Sequence, residues 1–199
     1  MTKGQILPQY EFGLWIDRII TDYSPKNIVE IGTWKGLGST KCIIDSIIKN
    51  NLQTNFMSFE CNKEFYLESV KNLENYKDYV NLIYGRLVEF DEVIRFCKQR
   101  KSQVNLNWLI EDLYNMSENS SRINLIPKTI DFLLLDGGEY STYIEWQKLK
   151  DRTKIVALDD TKETKTKEIN NSLSLDPNYK CLINSNERNG FAFYLNTEK

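Results

Sequence analysis

Apolar residues recur at helical spacing at Phe12, Trp15, Ile16, Ile19 and Ile20, so residues 11–20 predict an amphipathic helix that Ser24-Pro25 stops. The period then changes. Residues 27–31 (NIVEI) form a short apolar run of strand type, and residues 39–50 return to helical spacing with Ser39 or Thr40 near the start. The alternation continues with a strand at 54–60, a helix capped by Asn62 from 63, a strand at 79–85 and a helix at 87–99. Residues 129–138 (TIDFLLLDGG) carry the strongest apolar run of the chain. A helix at 141–149, a strand at 153–160 and a helix at 162–173 follow. Residues 179–185 and 190–196 flank NERNG, whose Asn-Gly pair marks a hairpin.

Residues 100–128 interrupt this rhythm with a helical pattern at 104–116 and a polar stretch at 117–124. They read as an insertion that serves as a substrate lid, inside one domain spanning 1–199. Strand and helix thus alternate five times before a closing hairpin. Short, continuously apolar strands need cover on both faces, which predicts an α/β sandwich around a mostly parallel sheet. Such sheets bind ligands beyond the carboxyl ends of the strands, where the strand order reverses.

The strand ends therefore carry the chemistry. After the first strand come Gly32, Thr33, Trp34, Lys35, Gly36, Leu37 and Gly38, so three of the nine glycines fall within seven residues. A loop so poor in side chains lets a ligand approach the backbone, and the helix after it offers free N–H groups. The spacing is neither G-x-G-x-x-G nor a P-loop. Trp34 either covers a ligand or plugs the core. Glu30, at the end of a buried strand, needs donors to meet, such as a ligand ammonium group or loop N–H groups. Glu60 stands where a dinucleotide fold bonds ribose hydroxyls, and Gly85 ends the third strand where a base ring would pass. Together these ends describe a nucleoside with an amino-acid-like tail.

Composition narrows the chemistry. The chain has no histidine, so acid–base work falls to carboxylates, Lys, Tyr or a metal-bound water, and a metal would have oxygen ligands. A net charge of −2 gives no basic surface for nucleic acid. No apolar run is long enough to span a membrane, and residues 1–15 lack a signal-peptide core, so the expected compartment is the cytoplasm. The four cysteines are scattered with neither metal nor disulfide spacing.

The stretch VEIGTWKGLGST resembles the first motif of class I S-adenosylmethionine-dependent methyltransferases, and Glu60 resembles their ribose-binding acid. Within that class, GTWKG, LLLDGGEYST and IVALDDT are similar to macrocin-type and other small-molecule O-methyltransferases. The resemblance implies a seven-stranded Rossmann-like sandwich with an antiparallel C-terminal hairpin strand. It implies S-adenosylmethionine at Glu30, Gly32, Thr33, Trp34, Gly36, Glu60, Gly85 and Asp136, and Mg²⁺ at Asp136, Asp159 and Asp160. Hard oxygen ligands suit that ion, which would lower the pKa of an acceptor hydroxyl. Those relatives carry an Asp, His or Lys base two or three positions beyond the strand-four Asp. Here Gly138 and Glu139 stand there, which makes Glu139 the candidate base beside Asp136.

The expected function is metal-assisted O-methylation of a small hydroxylated molecule, a sugar or glycan precursor. The alternative is a nucleoside-binding module that has lost catalysis and partners another enzyme. A nicotinamide enzyme ranks behind both on glycine spacing. The expected partner is a small-molecule acceptor, and self-association is compatible with the sequence. Lys162, Lys165 and Lys167 read as a solvated helix face and Arg188 as a surface turn residue.

Overall fold

The computed structural model describes residues 6–100 and 104–199. Among them, seven strands form one sheet in the order β3-β2-β1-β4-β5-β7-β6. The strands are β1 (Asn27–Ile31), β2 (Asn55–Glu60), β3 (Asn81–Tyr84), β4 (Ile130–Leu135), β5 (Thr153–Asp159), β6 (Tyr179–Ser185) and β7 (Phe191–Asn196). The helices are α1 (Glu11–Tyr23), α2 (Ser39–Lys49), α3 (Lys63–Asn72), α4 (Phe90–Gln99), α5 (Leu106–Ser117), α6 (Ser141–Leu149) and α7 (Thr164–Leu175). β1 to β5 pair in parallel, while β7 runs antiparallel to both β5 and β6. The predicted mostly parallel sandwich with a C-terminal hairpin is the fold observed.

The central strands read as unbroken apolar runs because each of their faces is covered. In β4, Phe132 and Leu134 join one core layer, and Leu133 and Leu135 join the other. The first layer lies under α1 and α2, and the second under α6 and α7 through Trp146, Leu149, Ile169 and Leu173. Phe12 of α1 stacks on Phe191 of β7 at 4.8 Å and so ties the first helix to the last strand. α1 ends where Ser24 turns left-handed (φ 43°) and returns its N–H to the Ile20 carbonyl. α3 starts at Asn62, whose Oδ1 accepts from the Phe65 N–H at 3.0 Å, as the sequence predicts.

Residues 104–128, within the stretch that the sequence pattern sets apart, are pinned to the sheet ends. Asn62 Nδ2 donates to Asn115 Oδ1 at 2.9 Å, and Asn119 Nδ2 donates to the Cys61 carbonyl at 2.8 Å. Tyr140 Oη accepts from the Asn105 N–H at 2.7 Å. α5 therefore stands as a wall beside the loops that follow β2 and β4.

The strand order reverses between β1 and β4. Their ends approach backbone to backbone, where Asp136 N–H donates to the Ile31 carbonyl at 2.9 Å, while on the other side Gly32 N–H donates to the Phe59 carbonyl of β2 at 3.0 Å. Gly32 adopts φ +98°, and a Cβ there would collide with the Asp136 carbonyl. Both demands select glycine. Gly32→Ala is expected to destabilise the fold by about 2 kcal/mol or more in urea unfolding, through backbone strain and overpacking. A loss well below about 1 kcal/mol would mean that the two strand ends can separate without cost.

Candidate active site

A cavity of 510 Å³ opens at this reversal point, over the carboxyl ends of β1, β2, β4 and β5. Its size suits a ligand of nucleoside-conjugate dimensions. One half is built from the loop after β1 and the end of β2. Gly32, Thr33, Trp34, Gly38 and Ser39 line it together with Glu60. Glu60 Oε2 accepts from the Trp34 N–H at 2.6 Å and Oε1 from the Asn62 N–H at 2.7 Å. The carboxylate keeps acceptor capacity for a further donor. Burial raises its pKa to about 7 against the lowering effect of those N–H groups. Trp34 takes a left-handed conformation (φ 48°) and meets Phe65 edge-on at 6.1 Å, which holds its ring at the cavity wall.

Glu30 sits elsewhere than the sequence reading placed it. It is fully buried outside the cavity lining. Its donors are three hydroxyls: Ser39 at 2.5 Å, Thr40 at 2.7 Å and Ser58 at 2.6 Å. Glu30 thus joins β1 to β2 and to the start of α2, and its burial lifts its pKa to about 7. Gly36 also stands back from the cavity, packed on Leu73 and Ser69. Gly38, in the same loop, takes the place at the wall. Gly85 lines the cavity and lies close against Ser120 and Arg122 of the insertion.

The other half of the cavity is acidic. Asp136, Asp159 and Asp160 each bring a carboxylate oxygen within 4.8 Å of the others. Burial, with Asp136 and Asp160 alongside, raises the Asp159 pKa to about 7. Glu139 lines the same half, and burial raises its pKa against the lowering influence of Thr164 and Lys165.

Two cations that the sequence reading left on the surface belong to this cluster. Lys165 Nζ lies 2.5 Å from Asp136 Oδ1 and 2.8 Å from Asp160 Oδ2. Arg188 Nη2 lies 3.2 Å from Asp159 Oδ2. Lys165 is only 9% exposed, which overturns its assignment to a solvated face. Burial lowers its pKa, but the carboxylates of Asp136 and Asp160 outweigh burial and hold the ammonium above its usual range. The signal was present in the spacing. Lys165, Ile169 and Leu173 fall at i, i+4 and i+8, on the inner stripe of α7. Arg188 carried a weaker signal, since a long side chain in a hairpin turn reads as exposed until the turn is seen to fold back over β5.

Two further acids escaped the sequence reading. Asp112 of α5 accepts from the Glu139 N–H at 3.1 Å and the Tyr140 N–H at 2.7 Å, and so caps α6 from another helix. Glu145 of α6 is 5% exposed, and its Oε2 has no hydrogen-bond partner among the described residues. Its burial, with Asp112 nearby, pushes its pKa to about 8. Thr142, Glu145 and Leu149 share the buried side of α6, so spacing again held the clue.

The fold has known counterparts. No family model matches the sequence, and no curated protein matches it. Solved structures do. A methyltransferase from Geobacter sulfurreducens superposes on 96% of this chain and 81% of its own, with a TM-score of 0.63 at 11% identity. An O-methyltransferase from Bacillus cereus in complex with SAH covers 98% of this chain and 83% of its own (TM-score 0.62, 12% identity). The chain has the methyltransferase fold. The O-methyltransferase TomG from Streptomyces achromogenes, involved in tomaymycin synthesis and solved with SAM, covers 94% of this chain and 79% of its own (TM-score 0.60, 13% identity).

The methyltransferase resemblance places a divalent cation among Asp136, Asp159 and Asp160, and the donor set alone would suit one. Lys165 does not. Its ammonium bridges two of the three carboxylates. Two unit charges 4 Å apart near a protein surface interact by about 4 kcal/mol, and a dication facing Lys165 would meet about twice that in repulsion. As arranged, the cluster does not fit a divalent ion.

Glu145 generates a test of this electrostatic picture. An acid with a raised pKa favours the folded state below its unfolded value of 4.5, and that contribution is lost as pH rises through about 8. Glu145→Gln removes the cost of ionising. The variant is expected to gain stability over the parent as pH goes from 5 to 8, by at least about 1.4 kcal/mol, the worth of one pKa unit. Thermal or urea unfolding at the two pH values reads the difference, and a gap independent of pH would contradict the assignment.

Proposed function

We propose that this protein is an S-adenosylmethionine-dependent O-methyltransferase acting on a small hydroxylated acceptor. One observation carries the reading. A single cavity at the reversal point of a methyltransferase fold joins the Glu60 and Gly32–Trp34 wall to the acidic wall of Asp136, Glu139, Asp159 and Asp160. The first wall offers a carboxylate for a ribose diol and a loop with little side-chain bulk for an amino-acid tail. The second offers acceptors for the hydroxyl that is to be methylated.

S-adenosylmethionine, when bound, supplies an electrophilic methyl group on a sulfonium centre. The chain's own task is to hold the acceptor oxygen in line with that methyl and to take its proton. Glu139 is the residue for the proton. It lines the cavity, and its raised pKa brings it closer to the working pH of a general base. Its carboxylate receives the hydroxyl proton as the oxygen bonds to the methyl carbon and the carbon–sulfur bond breaks, leaving a neutral thioether. Asp159 and Arg188 orient other polar groups of the acceptor at the far wall. A sugar or glycan precursor suits a wall so rich in charged acceptors. Metal assistance has no part in the proposal, because Lys165 holds the carboxylates that would ligate the ion.

A second reading, a nucleoside-binding module without turnover, has one observation in its favour: the base position carries Gly138 and Glu139 where the O-methyltransferases it resembles carry Asp, His or Lys. Labelled S-adenosylmethionine and a panel of sugars, phenols and catechols separate the two. The enzyme reading expects methyl transfer to at least one hydroxyl class. It also expects Glu139→Gln to lower the rate by about a hundredfold or more with little change in S-adenosylhomocysteine affinity. Binding of the nucleoside with no transfer to any hydroxyl would establish the module instead.

A further inference from the structure

The position of Lys165 within the acid cluster is unexpected for a site of this kind. Three carboxylates at the ends of β4 and β5 repel one another unless positive charge lies among them. The chain supplies that charge from α7, the helix that follows β5 directly. Lys165 rises from the inner stripe of α7 and reaches Asp136 and Asp160, while Arg188 comes out of the β6–β7 turn to Asp159. One ammonium and one guanidinium offset at least two of the three carboxylate charges without any added ion.

The geometry is that of a seat already taken. An ammonium group is a compact point charge with three donors, and here two carboxylates from different strand ends close on it. Its stem is held by the packing of α7 against the core, where Ile169 and Leu173 on the same stripe are buried. A surface lysine would swing aside for a dication at little cost. This one has lost its solvent and would have to find a new partner for a buried charge.

We infer that Lys165 is a resident counter-ion, occupying by covalent attachment the place that a divalent cation would otherwise take between Asp136 and Asp160. The site consequently keeps its shape and its ligand affinity without metal, and removing the ammonium opens a divalent-cation site. The inference rests on reading the acid cluster as the acceptor half of the proposed active site, but its test needs neither methyl donor nor acceptor.

The test is a Mn²⁺ titration followed by electron paramagnetic resonance of the free aqua ion. It uses wild-type protein, Lys165→Ala, Lys165→Gln and wild-type protein carrying Asp160→Asn. Wild type is expected to bind Mn²⁺ at the cluster at least about tenfold more weakly than either lysine variant, and Mg²⁺ is expected to compete in the variants. Wild type binding one Mn²⁺ tightly, with the binding lost in Asp160→Asn, would overturn the inference. So would folded lysine variants that bind Mn²⁺ no better than wild type. If neither lysine variant folds, the wild-type arm decides alone: no tight Mn²⁺ site and S-adenosylhomocysteine binding equal in EDTA and in Mg²⁺ support the inference, and a metal-dependent affinity refutes it. Absence of any S-adenosylhomocysteine binding would remove the proposed function and leave the metal titration to be read by itself.

Discussion

The close approach of β1 and β4 organises the rest of the molecule. Two neighbouring parallel strands end at one level, and the chain leaves them on opposite sides, one toward β2 and the other toward β5. A cleft at that point follows from the topology. Gly32 allows it to close tightly, because its bare Cα lets the β1 loop lie on the Asp136 backbone. The carboxylates at the ends of β2, β4 and β5 then face a common space, and the remaining architecture settles how each of them is neutralised.

The solutions differ residue by residue. Glu30 is met by three hydroxyls and becomes part of the frame. Glu60 is met by two backbone N–H groups and keeps spare capacity toward the cavity. Asp112 is consumed in capping α6. Asp136, Asp159 and Asp160 are met by Lys165 and Arg188. Glu145 Oε2 has no hydrogen-bond partner among the described residues, and burial raises its pKa despite Lys148 and so favours the neutral carboxyl. A buried acid is tolerated in each case because a donor, a cation or a proton offsets the cost of desolvation.

Much of the fold was legible because its signals are local. Apolar runs of strand length alternating with helical spacing gave β1 to β5 and the helices between them, and the Asn-Gly pair gave the β6–β7 hairpin. The bounds of α6 and β6 agree with the pattern at both ends. The site was legible only where a strand end announced it, as at Glu60, Asp136 and Asp159. Glu30 could not be placed by that rule, since its three hydroxyl donors come from β2 and α2 and only the folded chain brings them together. Lys165 and Glu145 were hidden for a different reason: a charged residue on an otherwise apolar stripe reads as exposed until its partners, or its lack of one, are seen in three dimensions. Arg188 illustrates the remaining limit, because its reach to Asp159 depends on the hairpin folding back over β5.

Calorimetric titration with S-adenosylhomocysteine, on wild-type protein and on Glu60→Ala, tests the central claim most directly. The account predicts one site of micromolar affinity in wild type, weakened by about tenfold or more when the Glu60 carboxylate is removed. The absence of binding in wild type, or an affinity indifferent to Glu60, would contradict it, because the cavity at the β1–β4 reversal would then belong to another ligand.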